Sequence, residues 1–291
     1  MVYELFFRAT DGEISLEMFQ NYFGKYPHYE VSGPDAFYKN ENTGVYFSFH
    51  YLHMNGEGNE NVRPEGIYRI SLEVSYCLPS IFIQEALIEV EALIGETKVV
   101  MYDPQEGGVG RKGYDNEKMI ACWREQNEYA LQDMARSGVD LQDQDMVVVP
   151  GAWLERVWAW NYDIPLNTKA MDDGMQVPII YALFDGENIK SGIVWSDGGA
   201  IAMPKVEVIV IAKTDPKTGE MVFCPVMHED IAGLISAYHT KKFGETHILG
   251  YSEIPEEVRA FVERVKPDDT WQRLPMDQVL EEEVVQSAFD A

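Results

Sequence analysis

The residues of this 291-residue chain whose types and spacing come nearest to a chemical motif are Gly108, Gly110 and Gly113, in the string GVGRKG. The pattern is G-x-G-x-x-G, after a predicted strand and before a predicted helix, with a further strand at 146–149. In such a setting backbone N–H groups and a helix N-terminus hold a pyrophosphate, and Arg111 and Lys112 would add positive charge. Three features weigh against it. Five residues separate Tyr102 from Gly108, too many for a tight strand-to-helix turn; Pro150 and Gly151, rather than an acid, follow Val149; and strands that read as antiparallel precede the motif. Gly113 after Lys112, in place of Ser or Thr, also breaks the P-loop pattern. The sequence favours a plain connection here. An enzyme binding a nucleotide or other small molecule through 107–113 and a cleft between domains is the alternative.

Other candidates are sparse. His50 and His53 are three apart in a predicted strand and project to opposite faces. His228 and His239 share a helical face but lie about 16 Å apart along it, too far to hold one metal. His28 and His247 read as solitary. For a nucleophilic serine the signal sought is a glycine elbow, and only Ser196-Asp197-Gly198-Gly199 comes near it, without G-x-S-x-G spacing. Cys77, Cys122 and Cys224 form no CxxC pair and have no neighbours that would activate a thiol. Asp172-Asp173 reads as a solvated loop, because adjacent acids arise by chance at this composition. No catalytic residue, metal or cofactor is expected.

Two features point to binding instead. Trp153, Trp158, Trp160 and Tyr162 crowd into one short segment, which either seals the two halves of the chain together or forms a recognition patch. The second is charge: 49 Asp and Glu against 23 Lys and Arg give −26, spread as 24 acids and 11 bases over 1–144 and 25 and 12 over 145–291. A surface this negative repels nucleic acid and anionic membranes and attracts basic surfaces. The function expected is a non-catalytic acidic binding protein that neutralises or sequesters a basic protein partner, of the immunity or inhibitor type found in bacteria. A scaffold protein is a third class. An odd number of cysteines, a start without a basic n-region and no apolar run long enough to cross a bilayer fit a cytoplasmic protein.

The elements that must position these residues follow from periodicity. Residues 2–9 read as a strand, and Ser15 opens a helix with Leu16, Phe19 and Phe23 on one face, stopped by Gly24. Strands follow at 29–39, 45–52 and 67–76, the first two joined by a turn at 40–44. The segment 81–94 is a helix apolar nearly all round, with Glu85 and Glu89 as its one polar stripe; 98–102 is a strand and 115–136 a long helix. Later strands are expected at 178–184, 189–195, 206–212, 221–224 and 246–249, with helices over 229–242 and from Pro255. Both halves end in strands, helix, strand, helix. That order suggests two tandem α+β modules, 1–144 and 145–274, each a mainly antiparallel sheet with helices on one face and related by cryptic duplication, followed by an acidic peripheral tail over 275–291.

Overall fold

The computed structural model describes residues 1–53, 62–63, 66–138, 146–243 and 246–289. Strand β1 (Val2–Ala9) leads to α1 (Leu16–Phe23), whose N-cap Ser15 accepts the Met18 N–H on Oγ. Next come β2 (Tyr29–Ser32) and β3 (Asp35–Lys39), where the periodicity indicates one strand. Gly33, at φ 61°, takes the left-handed conformation that folds this stretch into a hairpin. The chain continues through β4 (Tyr46–Tyr51), the small pair β5 (Val62–Arg63) and β6 (Gly66–Ile67), β7 (Ile70–Ser75), α2 (Ile81–Glu96), β8 (Val99–Tyr102), α3 (Asn116–Arg136) and β9 (Val147–Val149). Then follow α4 (Gly151–Tyr162), α5 (Ile164–Ala170), β10 (Tyr181–Phe184), β11 (Ile189–Ser196), β12 (Ile201–Met203), β13 (Val208–Thr214), β14 (Met221–Met227), α6 (His228–Tyr238), β15 (Lys241–Phe243), β16 (Thr246–Leu249), α7 (Glu256–Arg264) and β17 (Gln272–Leu274). Strand β18 (Val279–Glu281) and α8 (Glu282–Phe289) come last. Helix α6 ends before the expected Lys242 because 241–243 pair with β16 instead.

The fold is mixed α+β, as composition and periodicity indicate. It divides into two compact units, 1–151 with 276–291, and 152–275. The boundary expected at 144/145 lies outside the described residues. Of the tail expected over 275–291, the described residues 276–289 are packed: β18 pairs in parallel with β9, and Leu280, Val284 and Ala288 bury against Leu131 of α3. Its acids mask an apolar i, i+4 pair that needs a partner. The first unit carries a six-stranded sheet, ordered β2-β3-β4-β7-β1-β8 and antiparallel at every pairing. The second carries a five-stranded sheet, β14-β13-β11-β10-β17, in which β11 and β13 run parallel, and a three-stranded sheet, β12-β16-β15. A similar order of elements thus yields different topologies, since a parallel pair needs a crossover that successive hairpins lack. Duplication is not supported. No helix among the described residues is long and apolar enough to cross a membrane.

One face of the six-stranded sheet is the core of the first unit. Tyr3, Leu5 and Phe7 of β1, Phe47 and Phe49 of β4, and Leu72 and Val74 of β7 alternate inward and are buried. Phe23 of α1 packs on Phe49 with centroids 4.7 Å apart, and α2 lies on β4, β7 and β8.

The acidic stripe of α2 faces this core rather than water. Glu85 is 0% exposed, and its Oε1 accepts hydrogen bonds from Tyr38 Oη (2.8 Å), Asn40 Nδ2 (2.8 Å) and Thr43 Oγ1 (3.2 Å). One turn on, Glu89 accepts from Tyr29 Oη at 3.1 Å, and at the end of the helix Glu96 accepts from Tyr26 Oη at 2.8 Å. A buried carboxylate is tolerated only with such partners. Removing it would strand three donors at once, so Glu85→Ala should lower unfolding free energy by about 3–5 kcal/mol in urea denaturation, with Glu85→Gln losing less.

Burial pushes Glu89 above the ordinary glutamate range, although the Tyr29 hydroxyl pulls it back. Burial does the same to Glu281, against the Ser80 side chain and N–H and against Arg124. Because both folded values lie above the unfolded ones, protonation favours the folded chain: the contribution is complete below the ordinary glutamate range and is lost as pH rises through the raised values. Falling net charge acts in the same direction. The urea midpoint should therefore rise as pH is lowered from neutrality toward that range, and rise less in Glu89→Gln/Glu281→Gln; a falling midpoint would refute the assignment.

Candidate functional site

The opposite face of the six-stranded sheet is the candidate site. Strand register builds it in rows, because residues directly paired across strands share a face. Glu30, Phe37, Ser48, Glu73 and Glu4 run side by side across β2, β3, β4, β7 and β1. The next row sets Asp35 beside His50 and Ser71, with Phe6 beyond. Beside the first row lies an open groove of about 710 Å³, whose lining includes Val2, Glu30, Phe37, Tyr46, Ser48 and Glu73. Phe37 is 49% exposed and Tyr46 40%, so the groove offers apolar surface among carboxylates, with Lys39, ion-paired to Glu41 at 2.7 Å, also in its lining.

Three side chains on this face form a continuous hydrogen-bonded chain. Ser48 Oγ lies 2.8 Å from His50 Nε2, and His50 Nδ1 lies 2.8 Å from Asp35 Oδ1. Glu73 Oε2 stands 3.8 Å from the same Nε2. The ring of Phe37 meets the imidazole edge-on at 6.4 Å. Asp35 as a carboxylate can only accept, so Nδ1 carries the hydrogen, and in the neutral imidazole Nε2 is left to accept the Ser48 hydroxyl proton. Side-chain exposures of 24% for His50 and 37% for Asp35 leave the chain reachable from solvent. The serine, histidine and aspartate connect as in a nucleophilic triad. Sequence reading misses this set because it seeks a glycine elbow. The available signal is that Ser48 and His50 stand two apart in a predicted strand and therefore share a face; Asp35 joins them only through register.

The glycine-rich loop is built around an anion of its own. Asp103, 1% exposed, accepts hydrogen bonds from the N–H groups of Gln105 and Val109, both at 3.0 Å, and from Tyr3 Oη at 3.3 Å. Burial, and then the Asp103 charge, push the Tyr3 phenol far upward, which keeps it a donor. Amides that a phosphate would need are thus turned onto Asp103. Gly108 is required by this packing, since a Cβ there would fall 2.3 Å from Asp103 Oδ2. Arg111 lies over the Tyr102 ring at 5.1 Å, Lys112 is exposed, and Gly110 and Gly113 turn with positive φ.

The aromatic segment is helix α4, and its four large side chains do not form one patch. Leu154, Val157 and Asn161 make the buried stripe, and helical spacing puts Trp153 and Trp160 along one edge of it and Trp158 and Tyr162 along the other. All four are half-buried; Trp160 donates to the Pro178 carbonyl at 2.8 Å, and Trp158 packs on Tyr162 at 5.5 Å. Asn161 anchors the stripe by bonding both ways to the Ile180 backbone. His247, which reads as solitary, meets His239 edge-on at 5.6 Å because β16 returns beside the end of α6. Among the described residues no group of His, Cys, Asp and Glu has metal-binding geometry. Burial raises all three thiols, Cys122 to about 11, which disfavours the thiolate at each. Ser196 ends β11 and Asp197 to Gly199 form the loop after it, and Asp172 and Asp173 are exposed.

No family model, curated protein or solved structure matches the chain. Its reading therefore rests on its own geometry. The two glycines give a direct check of the loop. Gly108→Ala should cost about 2–4 kcal/mol by displacing a buried hydrogen-bonded carboxylate. Gly110→Ala, at φ 61° with nothing within 4 Å, should cost about 1 kcal/mol. Comparable losses in chemical denaturation would show that Asp103 is not what the loop is shaped around.

Proposed function

We propose that this chain is an acidic binding protein that sequesters a basic protein partner on the open face of its six-stranded sheet. The observation that carries this reading is the row in which exposed Phe37 stands between Glu30 and Glu73, beside a groove that also offers Tyr46 and Val2. Apolar anchors ringed by like charges suit a partner with the opposite charge, because the rim steers encounter and the anchors supply short-range affinity. Charge distribution supports it. Glu85, Asp103 and Glu281 are the buried carboxylates among the described residues, which leaves the great majority of the 49 acids to generate an external field. Toxin neutralisation is the concrete form of this function. The aromatics of α4, half-buried and divided between two edges of the helix, give less support to a recognition patch there.

The test separates a docking face from general attraction to a negative surface. A basic protein captured from native lysate at low salt is identified and titrated against two variants of equal charge change, Glu30→Lys/Glu73→Lys with Phe37→Ser, and Glu256→Lys/Glu257→Lys on α7. The first should weaken binding by at least about 30-fold, the loss of a hot spot, while the second leaves it nearly unchanged. Equal loss in both would overturn the reading, as would full affinity in the first.

A further inference from the structure

We propose that Ser48 is a His50-activated nucleophile that takes an acyl group from activated esters bearing a positive charge and holds it as a stable serine ester. The inference goes beyond the binding reading and does not depend on it. Its warrant is connectivity: Ser48 Oγ to His50 Nε2 at 2.8 Å and His50 Nδ1 to Asp35 Oδ1 at 2.8 Å. A carboxylate on Nδ1 fixes the tautomer whose Nε2 can take a hydroxyl proton.

In the reaction, the Ser48 oxygen bonds to the acyl carbon as its proton passes to Nε2. The bond from carbon to the leaving oxygen then breaks, and the alcohol departs with the proton from His50, leaving Ser48 esterified and the imidazole neutral. Asp35, and Glu73 at 3.8 Å from Nε2, both stabilise the transient imidazolium.

Two features decide the substrate class and the fate of the adduct. Strand β4 lies between β3 and β7, so its amide N–H groups are engaged in ladders and Ser48 has no backbone oxyanion hole of its own. Glu73, paired with Ser48 in register, further disfavours negative charge on a carbonyl oxygen. The leaving group must therefore be reactive in itself, and water attack on the resulting ester, which meets the same unsupported oxyanion, is slow. The same Glu73, with Glu30 along the row, favours a cationic acyl group. His50 is the base; Asp35 is a positioning residue.

The full chain would be mixed with p-nitrophenyl p-guanidinobenzoate, and with p-nitrophenyl benzoate as the neutral control, following nitrophenolate release and mapping the adduct by peptide mass. The expected result is a stoichiometric burst without turnover, faster for the cationic ester, with the added mass on Ser48. Ser48→Ala should abolish it and His50→Gln should slow it about 100-fold or more. Asp35→Asn, which reverses the tautomer preference, should slow it with the urea midpoint retained, whereas Glu73→Gln should reduce the preference for the cationic ester. No burst, mass on a residue other than Ser48, or an unchanged rate in His50→Gln would each overturn the proposal. The mass mapping uses the unaltered chain, so a variant that folds poorly cannot decide the outcome.

Discussion

The first unit is organised by carboxylates that leave water and must find donors. Helix α2 is apolar nearly all round, yet it carries Glu85 and Glu89 on its packed side and Glu96 at its exposed end, and the chain meets them with hydroxyls from Tyr38, Tyr29 and Tyr26. Each pair ties the helix to the segment from Tyr26 to Thr43, and the pairs lie on one side of α2, so together they set its rotation and height over the sheet. Asp103 does the same locally for the loop after β8, and Glu281 for the contact between β18 and the start of α2. Hydrophobic burial supplies most of the stabilisation, but a carboxylate without donors in this core would cost several kcal/mol. That penalty makes one docking of α2 far better than its neighbours.

Fixing the helices to one face leaves the other face open along β2, β3 and β4, where Phe37 is exposed, while toward β7 and β1 Ser71 is buried and Tyr68 packs on Phe6. Alternation then does the rest: every strand that sends Tyr, Leu or Phe inward sends a polar or charged residue outward. Antiparallel pairing converts those outward residues into rows, which is how an acid from β3 reaches a histidine from β4 and a serine two positions before it. The hydrogen-bonded chain needs no loop to build it, and its place on paired strands gives it the rigidity that proton transfer requires. The groove combines strand residues with two connections, Pro27 and His28 before β2 and Asn40 to Asn42 after β3.

Much of the fold is legible from residue order. Ser15 marks the start of α1, the Asp185 to Asn188 turn joins β10 to β11, and Pro255 precedes α7. The misreadings share a cause. Glu85 and Glu89 read as the one polar stripe of an apolar helix, but sequence shows an acid's charge and not the tyrosines waiting for it. Residues 275–291 read as peripheral because Glu281, Glu282 and Glu283 hide Val279, Leu280 and Val284, whose partners lie far back in the chain. The G-x-G-x-x-G string is clear, yet the anion it encloses is Asp103, five positions before the first of its glycines.

By itself the sequence determined the fold class, most element boundaries, the net charge and so the sign of any partner the surface attracts. These depend on composition and on contacts within a few residues. Tertiary structure alone decided which carboxylates are buried, that the two units carry different sheets, and that Asp35, Ser48 and His50 meet. Those outcomes depend on strand register and on packing between segments distant in the chain, where a shift of one residue would turn every side chain to the other face and leave no trace in local pattern.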